Sequence, residues 1–182
     1  IVWIGIPIVL LFVIGIIGKV STNAVNMLWI WIISVFLNAI MQELLIRGYI
    51  YRIIKKDYNA IIATIVTTGI FTFLHGGAFE AGIIPVLNVI SMSLFMTILL
   101  EYTDSLIAPI ISHFIWNVFG GIIMGVISLA DDYPSILNLE LNGDTLLSGG
   151  VYKLEGSIIV LVMNAILSLV FLILTIKHKK KI

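Results

Sequence analysis

The sequence predicts an all-α protein, a polytopic bundle of about six transmembrane helices, and three observations carry that expectation. Of the 182 residues, 60% are hydrophobic and only 11% charged, at a mean hydropathy of +1.18, so the chain lacks the polar surface that a water-soluble globule needs. Windows of about 19 residues isolate six apolar segments, at about 1–18, 24–50, 59–75, 85–101, 106–130 and 158–176. Runs such as Ile158–Val162 and Leu167–Ile176 are apolar throughout and lack the alternation that membrane β-barrel strands require.

Polar or turn-forming residues separate the segments. Lys19 to Asn23 follows the first, Lys55-Lys56-Asp57 the second, Gly76-Gly77 through Pro85 the third, and Glu101 through Ser105 the fourth. A long loop, 131–157, precedes the last. Within it, Asn142-Gly143-Asp144 lies between Ile136–Leu141 and Thr145–Leu147, a pattern that suggests a β-hairpin. The chain opens at Ile1 inside an apolar run, without a basic n-region or cleavage site. It therefore reads as a segment lacking upstream N-terminal helices rather than as a signal peptide. One domain over 1–182 is the economical organisation.

A net charge of zero conceals an asymmetry. Arg52, Lys55, Lys56 and the tail Lys177 to Lys181 are basic, whereas Asp131 to Glu155 is mainly acidic. Basic residues flanking spans favour the inner side, which makes the C-terminus cytoplasmic, with Lys19 as the dissenter. The bilayer is the expected surrounding partner, and no nucleic-acid footprint is present. Absence of cysteine removes disulfides, thiolate ligands and a cysteine nucleophile.

Against this background, a few polar residues within the spans need a reason, since a charge at the centre of a membrane helix costs roughly 2.5–3.5 kcal/mol on insertion scales. Glu43 and Arg47 are four apart and share a helix face as an ion pair. Gln42 points about 100° away from Glu43, and Asn38 extends its stripe. His75 closes the third segment, where a histidine capping a helix C-terminus is the bland alternative. Phe71, one turn earlier, is expected to pack or face lipid, in a supporting role at most. His113 and Asn117 are one turn apart on the fifth segment, where an interhelical hydrogen bond would suffice. Gly121 and Gly125 form a GxxxG pair that suggests close helix packing.

Depth along the helices makes a shared site plausible. From the turn near Asp57, Glu43 and His75 lie about 21 and 27 Å along their axes at 1.5 Å per residue. His113 reaches that level if the basic hairpin projects past the Glu101–Ser105 connection. A carboxylate and a histidine can deprotonate a water, and a second histidine with an asparagine can donate to the oxyanion formed on a carbonyl. That is amide hydrolysis. A divalent metal such as zinc on Glu43, His75 and His113 is the variant, although no HExxH is present.

In this order the motifs Gln42-Glu43-Leu44-Leu45-Ile46-Arg47, Phe71-Thr72-Phe73-Leu74-His75 and His113-Phe114-Ile115-Trp116-Asn117 resemble those of the CAAX-processing and bacteriocin-processing (CPBP, or Abi) family of intramembrane proteases. The resemblance covers about 30–125. It implies an intramembrane peptidase, either a metalloprotease or a glutamate protease, acting near the cytoplasmic leaflet on a peptide or lipidated protein. Glu43, His75, His113 and Asn117 would be catalytic, with Gln42, Arg47 and Phe71 in support. One departure matters: the family commonly has two glutamates, and the first is Gln42 here, the position usually assigned to water activation. The resemblance therefore also admits a catalytically impaired scaffold or bacteriocin-immunity protein that binds a peptide or membrane-protein partner.

Overall fold

The computed structural model describes residues 2–127 and 133–179. In chain order it comprises α1 (Val2–Val13), β1 (Ile17–Thr22), α2 (Leu28–Asp57), α3 (Ala60–Leu74), α4 (Gly77–Ala81), α5 (Ile83–Thr103), α6 (Ile107–Ile123), β2 (Leu137–Leu141), α7 (Thr145–Ser148) and α8 (Ile158–Lys179). Two 3-10 turns, Gly150–Tyr152 and Leu154–Gly156, lie between α7 and α8. Three helices, Leu28–Asp57, Ile83–Thr103 and Ile158–His178, are long and apolar enough to cross a membrane, while α1, α3 and α6 are apolar but shorter. All six apolar segments are thus helical.

The helices begin and end where their chemistry dictates. The Asn59 side chain accepts from Ile62 N–H at 2.9 Å and caps α3. α5 ends at Asp104 in the left-handed region, and α6 runs out just before Gly125, whose φ is 61°. That ending shortens the segment expected over 106–130, of which 128–130 lie outside the described residues, as do Asp131 and Asp132 of the acidic loop. Two stretches wind more loosely, as π-helix: Leu44–Ile50 within α2 and Trp116–Ile123 at the end of α6. Each adjoins the polar residues singled out above, as π-bulges at functional sites often do.

Two expectations need correcting. The protein is mainly but not wholly helical, because β1 and β2 pair antiparallel with Val20 opposite Leu139 and Thr22 opposite Leu137. Nor does Asn142-Gly143-Asp144 turn a hairpin between neighbouring strands. The Asp144 carboxylate accepts from Leu146 N–H at 2.8 Å and caps α7 instead, leaving β2 to satisfy its backbone against the distant β1.

α5 packs along α8 and also meets α3 and α6. Trp3 of α1 wedges between Phe95 and Trp116, with ring centroids 5.1 and 4.8 Å away, and its indole N–H donates to Asn164 Oδ1 at 2.7 Å. Gly120 admits α1: a Cβ there would meet Ile127 Cδ1 at 2.2 Å and Ile4 Cδ1 at 2.8 Å. Close packing therefore centres on Gly120. Gly125 serves the turn after α6, where a Cβ would lie 2.4 Å from the Leu137 carbonyl. Leu37 and Met41 on α2, Ile61 and Ile65 on α3, and Ile166, Leu169 and Ile173 on α8 are exposed at helical spacing, the apolar exterior of a lipid-embedded bundle.

The basic end of α2 does extend beyond its neighbours. Tyr51 Oη donates to Glu101 at 3.1 Å, and Lys55 pairs with the same carboxylate, so the end of α5 lies level with a point about 9 Å short of Asp57. Leu106 lies against Gly48. This offset carries His113 to the depth of Glu43.

Candidate active site

α2 and α6 meet where Glu43, Arg47 and His113 are buried, at 0%, 0% and 2% exposure. The Arg47 guanidinium donates to Glu43 Oε1 at 3.1 Å, to the Ser93 carbonyl at 3.0 Å and to Ser93 Oγ at 2.7 Å. It also stacks over the Phe71 ring, 4.4 Å from its centroid. His113 Nδ1 donates to the same Glu43 oxygen at 2.9 Å. These bonds compensate charges that would otherwise be costly to bury.

His75 stands at the C-terminal cap of α3, where its Nδ1 meets the Phe71 carbonyl at 2.8 Å. A carbonyl can only accept, so Nδ1 carries the proton and a neutral ring leaves Nε2 as an acceptor. Phe71 is fully buried and does not face lipid. Its ring lies 4.3 Å from that of His75 and 5.9 Å from that of His113, and the two imidazoles are 6.5 Å apart. His75 thus stands at the helix end and borders a cavity at once.

A cavity of about 300 Å³ opens beside these rings. Asn38 and Gln42 of α2, His75, His113 and Asn117, Val89 and Met92 of α5, and Tyr133 and Glu155 line it. Gln42 Nε2 donates to Asn38 Oδ1 at 3.2 Å, while its Oε1 is buried with no hydrogen-bond partner. The sequence-derived set therefore converges, with a division the sequence did not reveal. Gln42 faces the cavity, whereas Glu43 stands behind His113 and is absent from the lining.

Helix length fixes the position of the cavity along the bundle. α3 is 15 residues long, so His75 lies about 22 Å from its start at the basic end. Tyr133 and Glu155, from either end of the stretch before α8, also line the cavity. The cavity thus leads away from Arg52, Lys55 and Lys56, toward the opposite end.

Among the described residues, no three His, Cys, Asp or Glu side chains are grouped to hold a metal ion. Within the expected trio, Glu43 Oε1 is engaged by both Arg47 and His113, while Glu43 Oε2 is buried without a hydrogen-bond partner. Tyr133, Glu155 and Ser93 went unnoticed in the sequence, where isolated polar residues in a loop or an apolar helix carry no spacing signal.

Fold and site together define a mainly helical integral membrane protein with a buried polar centre. A family model described as Rce1-like, type II CAAX prenyl endopeptidase Rce1-like, matches residues 24–119, and the chain belongs to that family. Membership agrees with the resemblance drawn from the three motifs and places the chain among CAAX protease-like intramembrane endopeptidases. No curated protein and no solved structure matches it.

Proposed function

We propose that the chain, as one membrane domain over 1–182, hydrolyses a peptide bond of a peptide or lipidated protein within this cavity. The observation that supports this most is the Glu43–His113 hydrogen bond of 2.9 Å behind a cavity also lined by His75 and Asn117. His113, held through Nδ1 by the Glu43 carboxylate, presents Nε2 to the substrate carbonyl oxygen. Asn117 donates from its amide. One such donor beside the forming oxyanion is worth about 10²–10³-fold in rate.

The attacking water hydrogen-bonds to His75 Nε2. Its oxygen bonds to the carbonyl carbon as His75 Nε2 takes its proton and the carbonyl π pair moves onto oxygen. Collapse restores the carbonyl, breaks the C–N bond and delivers the proton to the departing amine. Glu43 is here a positioning residue, since it touches His113 rather than substrate, and Arg47 in turn fixes Glu43. Phe71 sets the planes of both imidazoles. No step is routed through zinc. With the basic ends on the cytoplasmic side of a bacterial plasma membrane, substrate enters from the other leaflet.

Purified protein in proteoliposomes, given fluorogenic peptides with and without an isoprenylated tail, tests the proposal. His75→Ala and His113→Ala should each lower kcat by about 10²-fold or more with helical content retained. Equal cleavage by wild type and both variants would remove it.

Gln42 supports a second reading, a non-catalytic scaffold or immunity protein that holds a peptide or membrane-protein partner. Its amide occupies the cavity wall without useful basicity, and Oε1 is unpaired. If wild type and Gln42→Glu both leave a broad peptide library uncut while one partner co-purifies in fixed ratio, binding is the function.

A further inference from the structure

We infer that an apolar slot at the basic end of the bundle binds an anionic phospholipid, with one acyl chain in the slot and the phosphate held by Lys55 and its basic neighbours. The slot has a volume of about 420 Å³ and is separate from the polar cavity. Ile61 and Ile65 from the start of α3, Ile98 near the end of α5, and Leu172 and Ile176 near the end of α8 line it. Ile61 and Ile65 are exposed, so the slot opens sideways onto the bilayer and a chain enters it without leaving hydrocarbon.

The lining suits hydrocarbon. Three threonines belong to it, and each gives its hydroxyl proton to the carbonyl one turn back in its own helix: Thr64 to Ala60 at 2.7 Å, Thr97 to Ser93 at 3.1 Å and Thr175 to Phe171 at 2.7 Å. A ligand with polar groups along its length would find those donors already engaged, whereas a methylene chain forfeits nothing there. The remaining polar lining is Tyr51 and Glu101, where Tyr51 Oη donates to Glu101 at 3.1 Å and Lys55 pairs with the same carboxylate. An apolar slot with polar groups gathered at one end matches an amphiphile.

Charge selects the headgroup. Lys55 keeps 40% of its side chain exposed while paired with Glu101, and an ammonium has three N–H donors, so it can hold a phosphate oxygen as well. Arg52 follows the slot-lining Tyr51 in the chain, Lys56 is one turn past Arg52, and Lys177 follows the slot-lining Ile176; all three are exposed. The acidic residues at this end are Asp57, Glu101 and Asp104, and the sequence adds Lys179, Lys180 and Lys181, so basic residues outnumber acidic ones. Basic residues at a membrane surface attract anionic lipid, and basic pockets between membrane helices bind acidic headgroups. A zwitterionic headgroup would bring its own cation among them.

The test titrates the full chain in a neutral detergent with dioleoylphosphatidylglycerol or dioleoylphosphatidylcholine, counting bound lipid by native mass spectrometry and following the thermal melt by tryptophan fluorescence. One phosphatidylglycerol should stay bound and raise the melting temperature, with phosphatidylcholine at least about tenfold weaker. Lys55→Gln and Lys177→Gln should each weaken phosphatidylglycerol binding about fivefold, and Lys55→Arg should retain it. Ala60→Trp, which fills the slot from the first turn of α3, should weaken binding at least about tenfold with the lipid-free melt unchanged. Ile65→Trp repeats that test from an exposed position should Ala60→Trp fail to fold. Equal affinity for the two lipids, or binding undiminished in both lysine variants, would overturn the assignment of an anionic headgroup. Folded tryptophan variants that bind phosphatidylglycerol as tightly as wild type would put the lipid elsewhere and overturn the site. None of these outcomes depends on peptide cleavage.

Discussion

Replacing Arg47 with methionine keeps much of the side-chain volume and removes the charge. Glu43, fully buried, would then keep His113 as its remaining partner, and Ser93 would lose bonds of 3.0 and 2.7 Å. Breaking a buried ion pair from one side costs about 3–5 kcal/mol, and losing a desolvated cation–π contact such as that 4.4 Å from Phe71 adds about 2 kcal/mol. Methionine packing offsets part of this, so Arg47→Met should destabilise by about 4 kcal/mol and Glu43→Gln by about 3 kcal/mol. The double variant strands neither charge and should fall short of the sum by at least about 1.5 kcal/mol. Equilibrium unfolding in mixed micelles, followed by fluorescence of the four tryptophans, measures all three. Energies additive within about 0.5 kcal/mol would refute the coupling and, with it, the account of why a carboxylate is tolerated behind His113.

Two further outcomes follow from particular contacts. Gly149 has φ 78° and a Cβ there would come within 1.5 Å of the Lys153 carbonyl, so Gly149→Ala should dislodge the loop. Limited proteolysis between 145 and 157 should accelerate at least tenfold, and unchanged protection would count against the tight loop. Because Glu43 is engaged by Arg47 and His113, EDTA treatment should leave peptide cleavage unchanged. Loss of cleavage on chelation, restored by one equivalent of zinc, would reinstate the metal variant.

Much of the helical scaffold was legible because its signals are local. Each apolar segment formed a helix, and the Glu43–Arg47 spacing placed the ion pair correctly even though the π-wound stretch begins at Leu44. Which of Gln42 and Glu43 would face the cavity was not legible, since the 100° between them says nothing about which neighbour occupies which side. β1 escaped notice because its partner lies more than 110 residues away, and strand pairing at that separation leaves no periodic trace. The turn signal at Asn142-Gly143-Asp144 was genuine chemistry assigned to the wrong structure, because an aspartate that can end a hairpin can also begin a helix. Glu155 was invisible for a different reason. Its place beside the cavity depends on Asn88, 67 residues away in sequence, which holds its backbone carbonyl.

The wedge formed by Trp3 has a bearing on how the family should be handled experimentally. The recognisable homology begins at residue 24, yet the cooperative unit reaches back to the indole that bonds Asn164 and to the isoleucine seated on Gly120. Excising 24–119 would expose Trp116 and Phe95 on one flank and leave Asn88 without the carbonyls it grips. Such a fragment would keep the inherited motifs and lose the mould that shapes them. Chimeras between relatives should accordingly exchange the first and last helices together with the middle.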